Sequence, residues 1–205
     1  MSLDDWRIIF ISICNVLIIS ACVPLIIASL PNKNEPFFAL AVLGEEGIAD
    51  NYYPEDNLNI EIGDEVSWTI YLYNHMGETK YVAVRIKLIN STMMTPNSTL
   101  YKPSSAPINY EIRRILLNNE TWLCPFSWSI QKIEFSEGYY VIKQLIVNDR
   151  TIETYVNVRD GSNIRFILEL WLYEKDLEDF QFRWRYDDEM GCVWNQVWFN
   201  ITSMG

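Results

Sequence analysis

The longest hydrophobic pattern in the chain is an uninterrupted run near the N-terminus. Residues 8–30 are 23 positions without a charged side chain. A helix of this length, rising about 1.5 Å per residue, crosses the roughly 30 Å hydrocarbon layer of a bilayer. The apolar region of a cleaved signal peptide is usually only about 7 to 15 residues long. The lipobox-like residues 19–22 are followed by further apolar or small residues, where a lipoprotein would have a polar tether. The pattern therefore predicts a retained transmembrane helix at 8–30, a short cytoplasmic N-terminus at 1–7 and a tether at 31–36.

The polar residues of this run are not scattered around the predicted helix. They follow one another at intervals of 3, 4, 3, 4 and 3 residues, which at 100° per residue places them on one face of the helix. Asn15, near the middle of the span, is costly when it faces lipid and favours a hydrogen bond to a neighbouring helix. The alternative is that single Asn, Ser and Cys residues are tolerated in lipid. The predicted helix-partner face consists of Ser12, Asn15, Ile19 and Cys22, continued by Ile26 and Ser29.

After the tether, apolar and polar residues alternate with a period of two, which is typical of β-strands. In residues 66–73, for example, Val66, Trp68, Ile70 and Leu72 share one face. This strand and the next one, at 82–88, flank the turn-rich residues 74–79, which predicts a hairpin. Further strands are predicted at 37–43, 58–62, 110–117, 128–135, 139–148, 151–158, 164–173, 180–186 and 193–201. Many short antiparallel strands separated by turns predict an all-β, two-sheet sandwich over 37–205.

Two segments of this region lack the alternating pattern. Residues 174–179 are predicted to add one helical turn. Residues 96–107 have no periodicity and two flanking prolines, so we predict a surface loop there.

Charge and cysteine content restrict the function. The formal net charge is −11, and nucleic-acid binding is not expected because phosphate contacts need clustered Lys and Arg.

Cys14 and Cys22 fall in the predicted helix, which leaves Cys124 and Cys192 as a pair that oxidising conditions would join in a disulfide. The alternative is that both are buried free thiols.

The side of the membrane on which the domain lies is indicated by its glycosylation signals. The flanking charges do not decide, because Arg7 on one side is balanced by Lys33 on the other. Four Asn-X-Ser/Thr sequons all follow the predicted helix, at Asn90, Asn97, Asn119 and Asn200. Since such sequons are modified outside the cytoplasm, we expect the domain to be extracytoplasmic.

No motif for chemistry is present in the sequence. The chain has one histidine, His75, whereas zinc and copper sites use several His or Cys ligands. No nucleophile elbow or phosphate-binding loop occurs. The acidic runs at 45–46 and 187–189 do not have the spacing of an EF-hand. We therefore expect no catalytic residue, no cofactor and no metal site.

Several short turn and strand motifs lie along the domain: Leu43-Gly44 followed by Gly47, Tyr53-Pro54, Gly63, Asn74-His75 followed by Gly77, Tyr81, Gly138-Tyr139-Tyr140 and residues 170–173. In these motifs the domain resembles the archaeal family known as domain of unknown function 1616. The resemblance covers most of residues 37–205, and its features are turn and strand signatures. It implies an immunoglobulin-like β-sandwich in an archaeal envelope and supplies no enzymatic residues.

Two functions remain open at this point. The first is a non-catalytic, membrane-anchored protein that binds other membrane or envelope proteins. The second is an accessory subunit that caps a multi-subunit membrane enzyme complex on its outer face. The predicted partner face around Asn15 favours the second, whereas a helix surrounded by lipid favours the first. A third option, a receptor for a soluble ligand such as a glycan, is suggested only by the surplus of Trp and Tyr, which includes Trp122, Trp128, Trp194 and Trp198.

Overall fold

A computed structural model describes residues 35–186 and 188–202, and residues 6, 10, 13–16 and 20 of the N-terminal segment. The chain forms two compact units, Met1–Glu35 and Pro36–Gly205. Residues 6, 10, 13–16 and 20 of the first unit are helical, and the exposed Asn15 is among them. Ser12, Ile19 and Cys22 of the predicted partner face lie outside the described residues, as does most of the predicted span. Within the residues that are described, no helix is both long and apolar enough to cross a membrane.

The regular secondary structure of the second unit consists almost entirely of β-strands. They are β1 (Phe37–Leu43), β2 (Asn59–Ile60), β3 (Val66–His75), β4 (Lys80–Ile89), β5 (Tyr110–Leu116), β6 (Thr121–Ser136), β7 (Tyr139–Val147), β8 (Arg150–Val158), β9 (Ile164–Glu174), β10 (Asp179–Gln181), β11 (Trp184–Tyr186), β12 (Glu189–Gly191) and β13 (Trp194–Ile201). A short 3-10 helix, Pro54–Asp56, precedes β2.

The strands form two sheets that pack as a sandwich. The first sheet has the order β1-β3-β6-β7-β8, and the second has β2-β13-β9-β4-β5 with β10 added to β9. β11 and β12 form a separate two-stranded ribbon. Pairing is antiparallel except between β13 and β2. The predicted all-β sandwich is therefore confirmed.

The core between the sheets is filled by aromatic side chains. Trp68 and Trp128 come from the first sheet, and Phe166 and Phe199 come from the second. The Trp128 ring lies 4.9 Å from Phe166 and 4.7 Å from Phe199 between centroids. Each such side chain contributes about 1.5 to 3 kcal/mol of hydrophobic stabilisation when it is fully buried. These aromatic contacts join the two sheets.

The predicted hairpin at 74–79 is wrong. β3 pairs with β1 and β6, whereas β4 pairs with β5 and β9 in the other sheet. The connection therefore crosses from one sheet to the other. The buried Asn74 holds this corner, because its Nδ2 donates to the carbonyls of Glu78, Leu116 and Leu117 and its Oδ1 accepts from the Met76 amide. Alternation alone does not distinguish this crossing from a hairpin, since both place the same apolar residues in the core.

Three other predictions are corrected near strand ends. Residues 175–178 form the turn between β9 and β10 and not a helical turn. The single strand predicted at 180–186 is two strands, β10 and β11, which belong to different sheets. β6 begins at Thr121, seven residues before the predicted start at 128. Pro125 argues against a strand from sequence, because proline has no N–H to donate to a neighbouring strand. The structure accommodates Pro125 where β6 pairs with β3 alone, since pairing with β7 begins at Trp128.

Candidate interaction surface

The outward face of β1, β3 and the first half of β6 carries no Asp, Glu, Lys or Arg. Residues directly opposite in an antiparallel pair point to the same side of the sheet, so the register defines this face. We call it the uncharged face; it comprises Phe37, Ala39, Ala41, Leu43, Ser67, Thr69, Tyr71, Tyr73, His75, Thr121, Leu123, Pro125 and Ser127. All of these residues are exposed or half-buried. Because charged residues are 21% of the chain, a continuous surface without them is a distinctive feature.

The centre of the uncharged face is a row formed by Ala41, Tyr71 and Leu123. Leu123 is 54% exposed and lies where β6 pairs with β3 alone, because β7 joins β6 only from Trp128 onward. Isolated exposed apolar residues are ordinary on protein surfaces, whereas contiguous ones mark contact sites. The face therefore has the composition of an interface core, which is depleted in charge and rich in tyrosine.

One end of the uncharged face is an aromatic cluster. The Phe37 ring lies 5.0 Å from His75 and 5.9 Å from Tyr73 between centroids. The Asn119 Oδ1 is 2.7 Å from His75 Nδ1 and accepts a hydrogen bond of 3.3 Å from the Tyr73 hydroxyl. β1 begins at Phe37, so this end is where the chain enters the sandwich from residue 36.

The other half of the first sheet has a different surface. Lys132 and Lys143 both form salt bridges with Glu134, at 2.8 Å and 3.6 Å. The charged side chains of this half are partly exposed to solvent, as is usual on a protein surface. The uncharged face is therefore a local property of β1, β3 and the first half of β6.

The outward face of the second sheet is covered by the chain itself. The connection between β4 and β5, residues 90–109, was predicted as a surface loop over 96–107, but it packs on this sheet and buries Pro96 and Ser104. Beneath it, Lys87 Nζ lies 2.9 Å from Glu169 Oε2 and donates to the Ser104 carbonyl at 2.6 Å. Glu169 also accepts from the Ser104 amide and from Trp171 Nε1. Both charged side chains are almost fully buried, so the ion pair fixes the loop and is not available to a ligand.

Arg85 extends this network toward the edge strand β5. Its guanidinium lies 3.9 Å from the centre of the Trp171 ring, and its Nε donates to Glu111 at 2.6 Å. Arg113 contacts the other Glu111 oxygen at 2.6 Å. Burial raises the pKa of Glu111, but the hydrogen bonds and charges of the two arginines outweigh burial and hold that pKa below its ordinary value. This cluster is a stabilising surface network.

The domain also has shallow clefts. One of about 640 Å³ collects Glu45, Glu46, Glu55, Asp56 and Glu65. Another, of about 530 Å³, lies between β9 and the β11–β12 ribbon and contains Lys80, Arg183 and Arg185 among aromatic residues. In the described ranges, no three His, Cys, Asp or Glu side chains have an arrangement that could hold a metal ion. His75 is engaged in the aromatic cluster.

The four sequons differ in how free their amide nitrogens are. Asn97 and Asn119 are exposed, and each uses its Oδ1 as an acceptor. Asn90 is 9% exposed and donates from Nδ2 to the Asn157 carbonyl at 2.6 Å. Asn200 is half-buried and donates from Nδ2 to Asn59. Because the glycan bonds to Nδ2, Asn97 and Asn119 are the sequons that the fold leaves best suited to carry one.

The structure does not contain the predicted disulfide. Cys124 and Cys192 are both free thiols. Cys124 lies opposite Ile70 on the core side of the first sheet, whereas Cys192 adjoins β13 of the second sheet beside Ser98. Burial raises the pKa of both thiols. The alternative of two separate, partly buried thiols is the one that the fold adopts.

Comparison with known proteins adds little to this geometry. No family model matches the chain, and no curated protein matches it, so the resemblance to the domain of unknown function 1616 stays a prediction. Among solved structures, a β-glucosidase from Listeria innocua in complex with glucose is similar at a TM-score of 0.32 and 10% identity over 61% of this chain and 16% of that chain. A CARDB domain from Pyrococcus furiosus is similar at a TM-score of 0.29 and 12% identity over 61% of this chain and 90% of that domain. No argument about this chain is drawn from similarities at these TM-scores.

Proposed function

We propose that this chain is a non-catalytic, membrane-anchored protein whose extracytoplasmic, immunoglobulin-like sandwich binds another protein through the uncharged face. The uncharged face is the single observation that carries this proposal. Apolar surface is stabilised by about 25 cal/mol for each Å² removed from water, and a face without charged groups loses no ionic solvation when a partner covers it. The partner surface is accordingly one that is also poor in charge.

The membrane and extracytoplasmic parts of the proposal are supported by sequence. The 23 uncharged residues at 8–30 and the four sequons that follow them are the supporting features. Asn97 and Asn119 are both accessible; Asn119 contacts Tyr73 and His75 at the Phe37 end of the uncharged face, so a glycan there borders that end and not the central row.

Binding is tested by extracting the full chain in a gentle detergent and identifying the proteins that co-purify. Leu123→Asp places a charge in the central row of the uncharged face, beside Tyr71, and should abolish co-purification of the partner. Ile115→Asp is the matched control, because Ile115 is similarly exposed, 62% against 54%, but lies on β5 of the other sheet. If wild type retains another protein and both variants retain it as well, the uncharged face is not the surface that binds this protein. If the retained proteins are subunits of one membrane enzyme, the accessory-subunit function is the correct one.

Orientation is tested separately by intact-mass measurement before and after deglycosylation. We expect a mass loss that disappears in the double variant Asn97→Gln/Asn119→Gln, because the amide nitrogens of Asn90 and Asn200 are engaged within the fold. The pair Asn90→Gln/Asn200→Gln is the control and should leave the glycan mass unchanged. A native chain without any glycan would remove the support for an extracytoplasmic domain.

A further inference from the structure

We infer that the protein that covers the uncharged face is a second copy of this chain, so that two copies pair through β1, β3 and β6 of each. This inference rests on the proposed function, because it names the partner for the same surface. It is argued from the charge of the chain and the symmetry of the contact, and the size of the face indicates how strong the contact is.

Charge limits the surfaces through which two copies can meet. The chain has 27 acidic against 16 basic side chains, so two copies repel each other through most of their surfaces. The uncharged face is a surface on which copies meet without bringing like charges together. Its composition also suits self-association, because Tyr71, Tyr73 and the Ser and Thr hydroxyls act both as donors and as acceptors of hydrogen bonds.

Symmetry is compatible with anchoring in one membrane. In a two-fold dimer, the same patch contacts itself, and two sheets can pack face to face about 10 Å apart with their strands nearly aligned. A two-fold axis parallel to the strands keeps both copies of Phe37 at the same end of the dimer. Since only the six tether residues 31–36 separate Phe37 from the predicted helix, two anchored copies need this arrangement. Two anchored copies also have two predicted helices in the same bilayer, and Asn15 is a residue that can hydrogen-bond to a neighbouring helix.

The size of the face predicts a weak contact. Three strands spaced about 4.8 Å apart and seven residues rising about 3.3 Å each give roughly 14 Å by 23 Å, or about 330 Å² per copy in projection. A standard stable interface buries about 800 Å² per partner. The contact therefore needs the local concentration that confinement in one membrane supplies, with about 1 kcal/mol more from a polar contact between helices. We expect a dimer in the bilayer that dissociates on dilution in detergent.

The test counts copies of the full chain in lipid vesicles. The chain carries one fluorophore at its C-terminus and is reconstituted at low density, so that photobleaching steps report copies per complex. We expect two steps for wild type and for Ile115→Asp, and one step for Leu123→Asp. The circular dichroism spectrum of each variant confirms that it is folded.

A second measurement does not depend on inserting a charge. Leu123→Cys should form a covalent dimer with a short bis-maleimide in vesicles, whereas Ile115→Cys should give no more product than the parent chain with its native cysteines. Failure of Leu123→Cys to cross-link beyond the parent would contradict pairing through this face.

The outcomes separate this inference from the proposed function. If wild type is monomeric in vesicles but another protein co-purifies and is lost in Leu123→Asp, the second copy is wrong and the proposed function holds. A dimer that persists in Leu123→Asp places the contact elsewhere and overturns the inference. If Leu123→Asp changes neither the copy number nor co-purification, the inference and the proposed function both fail.

Discussion

The buried ion pair between Lys87 and Glu169 gives the sharpest test of the fold. The two side chains are 4% and 0% exposed, and their charged atoms are 2.9 Å apart. Glu169 accepts three hydrogen bonds, from Lys87, the Ser104 amide and Trp171 Nε1. The network joins β4 and β9 to the connection at 90–109. Changing Lys87 to Met keeps the aliphatic volume and leaves the carboxylate without a counter-charge.

The expected cost follows from the burial of that carboxylate. Removing one partner of a buried ion pair typically destabilises a protein by about 3 to 5 kcal/mol. In the double variant Lys87→Met/Glu169→Gln no buried charge remains. The double variant then loses mainly the bonds from Lys87 to the Ser104 carbonyl and from Trp171 to Glu169, at about 1 kcal/mol each. We therefore expect the double variant to be less destabilised than Lys87→Met alone, by about 2 kcal/mol.

The assay is urea unfolding of the full chain in detergent, followed by tryptophan fluorescence. With an m-value of about 2 kcal/mol/M, a loss of about 4 kcal/mol lowers the midpoint by about 2 M for Lys87→Met. Lys143→Met is the control, because its salt bridge to Glu134 is long and partly exposed and should contribute about 0 to 1 kcal/mol. A midpoint for Lys87→Met equal to that of Lys143→Met would refute the reasoning. So would a double variant that is less stable than the single one.

Two further outcomes are expected in the same unfolding assay. The pKa of Glu111 is held low by Arg85 and Arg113, so its stabilising contribution is present above the ordinary carboxyl pKa and is lost as the pH falls through the lowered pKa. Wild type should therefore lose stability between neutral pH and about pH 3 as Glu111 becomes protonated. Glu111→Gln lacks this loss, so its urea midpoints at the two pH values should differ by less than those of wild type. An equal difference in the variant and in wild type would show that the cluster adds no stability. Asn74→Asp removes the amide donor to three carbonyls without changing side-chain size and should destabilise the domain by at least about 2 kcal/mol. A loss under about 0.5 kcal/mol would mean that the corner between the sheets does not depend on Asn74.

The sequence predicted the strands better than their partners. Alternation in β3 and β9 identified the residues that face the core, since burial on one side of a sheet requires a period of two. It did not reveal that β3 and β4 lie in different sheets, because a hairpin and a crossing bury the same apolar residues. The deciding contact is made by Asn74 with Leu116 and Leu117, more than 40 positions away. Side-chain contacts at that separation leave no local pattern.

The covered face of the second sheet was also missed. The period of two in β4 places Lys87 on the outward side of the sheet, which is correct, but that side is covered by residues 90–109 and is not solvated. One signal was available in β9, where Ile167 and Trp171 stand on the outward face beside Glu169. Apolar residues on both faces of a strand indicate that both faces are covered. The uncharged face was equally invisible, because it needs the register of three strands that are distant in sequence.

The contrast between the two outward faces is the strongest argument for an interaction role. On the second sheet, the fold uses a long connection and the segment with Phe180 and Phe182 to cover apolar surface, and it pairs the buried charges beneath. On the first sheet, Tyr71 and Leu123 stay accessible to solvent. At about 25 cal/mol per Å², covering a further 100 Å² of apolar area would stabilise the domain by about 2.5 kcal/mol. A chain that obtains this stabilisation on one face and forgoes it on the other leaves the uncharged face open to an external partner.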